Sequence, residues 1–121
     1  ESQILSVIRM WAAVAWADGV MVETEADSLG RLIRTADLTD DERVAARGFV
    51  ETRTALPETY LTDLSPEARR GVYRAACRMA VVDRVLADTE RALLERLREL
   101  LGLAADDALA IEAEIPGMRQ P

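Results

Sequence analysis

Residues 18 to 25 read Asp18-Gly19-Val20-Met21-Val22-Glu23-Thr24-Glu25, and an ungapped shift of 65 residues lays them over Asp83-Arg84-Val85-Leu86-Ala87-Asp88-Thr89-Glu90. Asp, Val, Thr and Glu coincide. Downstream the register holds, with Leu29 on Leu94, Arg31 on Arg96, Leu32 on Leu97, Leu38 on Leu103 and Asp41 on Asp106. Upstream, Val7, Arg9 and Ala15 fall on Val72, Arg74 and Ala80, and mismatches such as Met21 with Leu86 keep their chemistry. A repeat of this kind marks a supersecondary unit whose buried face is completed by its copy. The spacing predicts a duplicated helix-loop-helix, with unit one over about 4–42 and unit two over about 69–107.

Each unit opens with a helix apolar nearly all round. In unit one only Ser6 and Arg9 interrupt the run from Ile4 to Trp16, the pattern of a helix enclosed by neighbours. In unit two Ser65-Pro66-Glu67 supplies a capping hydroxyl and a proline at the first helical position, leading into Val72 through Val82. These two helices are expected to form the buried centre. The closing helices are amphipathic: Leu93, Leu94, Leu97, Leu100 and Leu101 make one stripe, matched by Leu29, Leu32, Ile33 and Ala36. Gly102 suits a left-handed C-terminal cap with Leu103 folding back, and Asp37 holds the equivalent place in unit one.

Between the units, Thr39-Asp40-Asp41-Glu42 reads as a capping box that starts a helix running to about Ala55, which Pro57 ends. Glu58 to Leu64 is expected as a short helical turn, and a last helix runs from Ala105 to Glu114. No segment alternates with period two. The class is all-α, a six- to seven-helix bundle of two pseudo-symmetric repeats, one domain over 1–115 with a frayed tail at 116–121.

Composition removes whole classes of function. The longest uncharged stretch, Met10 to Ala17, is eight residues, far short of the ~20 needed to span a bilayer. A net charge of −7 and a pI near 4.6 repel phosphate backbones, so nucleic acid is disfavoured as a partner. The chain has no histidine, which removes the commonest general base and zinc ligand. Its one cysteine, Cys77, excludes an intrachain disulfide and agrees with a reducing compartment. No signal-peptide pattern opens the chain, and its start at Glu1 fits a trimmed domain.

Only the repeated loop gathers candidate chemistry. Asp18 and Asp83 stand where an opening helix ends, beside unpaired carbonyls that form the negative end of the dipole, so something positive is needed there. The amides of the next helix are one candidate. The natural cap positions Val22 and Ala87 carry no acceptor, so Asp18 and Asp83 could cap from across the loop while Glu25 and Glu90 reach back to the cap amide. Each such bond is worth ~0.5–2 kcal/mol. The other candidate is a divalent cation, magnesium, calcium or manganese, held weakly by Asp18, Glu23 and Glu25 or by Asp83, Asp88 and Glu90. The loop is not an EF-hand, since aspartate to glutamate spans eight residues rather than twelve.

The pattern Ala-Asp-Gly-x-hydrophobic-x-x-x-Glu, followed by a leucine stripe and repeated once, resembles the TerB family of bacterial tellurite-resistance and stress proteins over roughly Ile4 to Ile115. The same all-helical fold is similar to the N-terminal domain of a membrane-anchored DnaJ-like co-chaperone. The resemblance implies a compact cytoplasmic helical domain, linked to resistance against tellurium oxyanions, that chelates metal through acidic positions matching Asp18, Glu25, Asp83 and Glu90. Arg84 departs from the family's loop glycine, and Val22 and Ala87 from its capping serine. Arg84 weakens a cation site in the second loop, so unit one is the better candidate.

Other residues have plainer readings. Cys77 is expected to be an inert buried thiol. Trp11 and Trp16 face different sides of the first helix, one in the core and one at a contact surface. Arg43, Arg47, Arg53, Arg69, Arg70, Arg74 and Arg78 form either a patch for an oxyanion or a solvated face paired with glutamates. The expected role is binding rather than turnover: a stress-response module with acidic cation loops, or a protein-interaction domain with purely structural loops. In the second case the partner is another protein or a second copy in a homodimer.

Overall fold

A computed structural model describes residues 2–17, 19–56, 58–81 and 88–118. Among these the chain forms α1 (Gln3–Ala15), α2 (Glu23–Thr35), α3 (Asp40–Glu51), α4 (Glu58–Thr62), α5 (Pro66–Ala80), α6 (Asp88–Leu101) and α7 (Ala105–Ala113), with no strand. The all-helical expectation holds, and no helix among the described residues is long and apolar enough to cross a membrane.

The helix starts follow local chemistry. Ser2, Thr39 and Ser65 each accept a backbone N–H from three residues on, opening α1, α3 and α5, and Pro66 takes the first position of α5. Thr39 and Glu42 complete a reciprocal box: Glu42 N–H to Thr39 Oγ1 at 3.1 Å and Thr39 N–H to Glu42 Oε1 at 3.0 Å.

Helix α1 is the centre, packed against α2, α3, α5 and α6. Val7, Ile8, Met10, Trp11 and Ala12 are buried on successive faces, so the nearly continuous apolar run has neighbours all round. Trp11 has no exposed surface and its Nε1 has no acceptor. That unmade bond costs ~1–3 kcal/mol, which packing of the large ring offsets.

Four expectations are corrected. Helix α5 does not match α1: it buries one stripe, Val72, Tyr73, Ala76, Cys77 and Ala80, and leaves Arg78 exposed. Its arginines need water or partners, which limits how much of it can be enclosed. Helix α3 stops at Glu51 rather than near Ala55, because Thr52 is already extended and Thr54 Oγ1 donates to the Phe49 and Thr52 carbonyls at 3.0 and 2.9 Å. Gly102 adopts the expected left-handed turn (φ +70°), but Asp37 does not copy it, as no non-glycine described residue has positive φ. Unit one ends instead with Ala36 extended, and the Arg43 guanidinium donates to the Ile33, Arg34, Ala36 and Leu38 carbonyls. Without a glycine to turn the chain, a side chain satisfies the orphaned acceptors. Lastly, the start of the supposed tail is packed: Met118 is buried and its carbonyl accepts Arg91 Nη2 at 2.9 Å.

Candidate functional site

Asp18 and Asp83 lie outside the described residues. The other four candidate ligands sit in the first turns of α2 and α6, at the positive ends of those helices, where carboxylates are favoured. Glu23 and Asp88 are exposed. Glu25 and Glu90 point elsewhere.

Glu25 bridges two donors. Its Oε1 accepts the Val22 N–H at 3.4 Å, the reach-back that the missing cap side chain called for, and its Oε2 accepts Arg96 Nη1 at 2.7 Å. The same guanidinium donates through Nη2 to the Val14 carbonyl near the end of α1. Arg96 lies on α6, so one side chain joins the C-terminus of α1 to the N-terminus of α2.

Glu90 is fully buried, and its Oε2 accepts Arg31 Nε at 2.8 Å and Nη2 at 2.6 Å. Arg31 Nη2 also donates to the carbonyl of Ala80, the last residue of α5, at 2.9 Å. Arg31 falls three residues after buried Ser28 on the inner side of α2, which aims its head under α6. Both opening helices therefore have carbonyls at their ends satisfied by a guanidinium. What faces Asp18 and Asp83 themselves lies outside the described residues.

Among the described residues no group of three or more histidine, cysteine, aspartate or glutamate side chains stands close enough to hold a metal ion. The arginine set also divides. Arg43 serves the end of α2, and Arg69 donates to the Leu61, Leu64 and Leu101 carbonyls. Arg74 pairs at the surface with Glu114 at 3.4 Å. Arg43 and Arg69 therefore serve helix ends, and Arg74 a surface carboxylate, rather than one shared oxyanion patch.

Cys77 is buried, and that burial first, with the Glu112 carboxylate second, pushes its thiol up to about 12. Burial likewise raises the Tyr73 hydroxyl well above its usual range, with Glu112 adding to it by accepting the Tyr73 hydrogen bond at 2.7 Å.

One concavity stands out. The end of α1, the segment 53–56, α4 and α6 enclose an open pocket of about 550 Å3. Trp16, the half-buried tryptophan, forms one wall, fixed by its indole N–H donating to the Phe49 carbonyl at 2.9 Å. Sequence periodicity placed Trp16 on a different face from Trp11 but carried no sign of this pocket, which depends on where α3 stops.

No protein-family model matches the chain, and neither a curated protein nor a solved structure is significantly similar to it.

Proposed function

We propose that the chain is a TerB-like, non-enzymatic binding module of the cytoplasm in which the repeated acidic loops are structural hinges. The observation that carries this reading is the exchange of ion pairs: Arg31 binds Glu90 while Arg96 binds Glu25. In the repeat register Arg31 matches Arg96 and Glu25 matches Glu90, so each unit lends its arginine to the other's glutamate. That reciprocity supports a pseudo-symmetric duplication and gives the repeated carboxylates a role in joining the units. A partner of the module is then recognised elsewhere on its surface, as expected of an interaction domain.

The rival reading, a stress-response module holding a divalent cation, keeps Asp18 and Glu23 in unit one and Asp83 and Asp88 in unit two as its ligands, because Glu25 and Glu90 already accept from arginines. Titration of the protein with magnesium and calcium, followed through the amide resonances of residues 19–25 and 88–90, separates the two. The hinge reading expects no saturable shift at millimolar ion. A saturable shift centred on Glu23 or Asp88, with a raised melting temperature, replaces it with the cation reading.

A further inference from the structure

The pocket at the end of α1 has the volume, about 550 Å3, of a small-ligand site. Its floor and walls are apolar, with Trp16, Leu56, Leu61 and Leu100 facing in. Among its described lining residues the charged side chains are Arg53 and Arg96, although the chain as a whole has twenty-two acidic and fifteen basic residues. The described lining thus carries charge opposite in sign to the chain's average. The two arginines are not equivalent: Arg96 is occupied by Glu25 and the Val14 carbonyl. Arg53 is exposed and makes no hydrogen bond or ion pair among the described residues.

The rest of the pocket is built beforehand. Trp16 is held by the Phe49 carbonyl, and the segment bearing Arg53 is held by the two Thr54 bonds. The Arg53 head lies beside the repeated loop at Gly19 (φ +86°), its guanidinium carbon 4.0 Å from where a Cβ would stand. A preformed apolar cavity with one guanidinium at its mouth selects a ligand with an apolar body and a single anionic end. A cation is repelled, and a neutral apolar molecule leaves Arg53 unused.

We propose that this pocket binds a small apolar monocarboxylate, with the carboxylate on Arg53 and the hydrocarbon against Trp16, Leu61 and Leu100. The proposal extends the binding-module reading by naming a ligand class, and it is independent of what the acidic loops do.

The test is titration of the full chain with octanoate, octan-1-ol and octylammonium, observed through the Trp16 indole N–H and leucine methyl resonances. Octanoate is expected to shift Trp16, Leu61 and Leu100 saturably, about tenfold more tightly than the alcohol, with octylammonium weakest. Arg53→Gln, at an exposed position, should remove that tenfold preference and leave alcohol binding unchanged. Ala17→Phe, also exposed, should fill the pocket and abolish both. Equal affinities for acid and alcohol, an unaltered preference in Arg53→Gln, or shifts away from Trp16 overturn the proposal. A dileucine peptide acid binding more tightly than octanoate overturns it in favour of a protein C-terminus. The magnesium and calcium titration has its own resonances, so failure of the hinge reading and failure of this one are separately visible.

Discussion

Arg31 and Glu90, 59 residues apart, meet in the interior with both guanidinium nitrogens Nε and Nη2 on one carboxylate oxygen, at 2.8 and 2.6 Å. The glutamate side chain has no exposed surface and the arginine about a tenth, 11%. Two charges have been taken out of water, a cost that their mutual pairing and the Arg31 bond to the Ala80 carbonyl help offset. Breaking the pair from one side strands a buried charge.

Glu90→Ala is therefore expected to destabilise by ~3–5 kcal/mol, measured by urea unfolding. The double variant Arg31→Met with Glu90→Leu should recover part of that loss, since it leaves no buried charge although the Ala80 carbonyl loses its donor. A single variant costing under ~1 kcal/mol would falsify the interior ion pair as a strut of the fold.

The partner pair is a built-in control. Arg96 and Glu25 are more exposed, at 35% and 15% of their side chains. Glu25→Gln keeps an acceptor for the Val22 N–H and loses only charge, so the expected cost is ~0.2–1 kcal/mol and shrinks as salt is added. Equal losses in Glu25 and Glu90 variants at all ionic strengths would contradict the difference in burial.

Burial of Cys77 predicts selective silence. At pH 8 a disulfide reagent should leave the folded protein untouched and modify it at once in guanidinium, where the thiol regains its ordinary acidity near ~8.5. Because folding raises this group to about 12, its contribution to stability is whole below the unfolded pKa and is lost as pH climbs through the interval between the two. Rapid labelling of native protein counts against the packing described for α5.

Glu42 gives an acid-side prediction of opposite sign. The Ser2 hydroxyl first, then the Thr39 amide, hold its carboxyl below the usual range. A lowered folded pKa means stability present above the unfolded value and lost as pH falls through the folded one. Glu42→Gln, which can still close the capping box, should melt below wild type at pH 7 and converge with it below about pH 4. A constant difference across that range would place the effect in the box geometry rather than the charge.

Two glycines should respond oppositely to alanine. Gly102 has φ +70°, where a Cβ costs ~1–2 kcal/mol, while a Cβ on Gly48 meets nothing within 4 Å in α3 and should stabilise by ~0.4–1 kcal/mol. Denaturant midpoints of the two variants check both signs.

What the amino-acid order determined by itself is local. Hydroxyls at Thr39 and Ser65, proline at 66, glycine at 102 and the leucine stripes act within a turn or two of chain, so these helix starts, one helix end and the all-α class were legible. The register that laid Arg31 on Arg96 and Glu25 on Glu90 was legible too, but its meaning was not, because the bonds cross between units. Whether a carboxylate meets an amide, an ion or a guanidinium depends on where α6 lies against α1 and α2, and packing alone fixes that. The pocket is likewise tertiary: it exists because α3 stops at Glu51 and 53–56 turns back beside Trp16. Only the folded chain decides which of the fifteen basic heads cap helices and which, like Arg53, stand at the pocket.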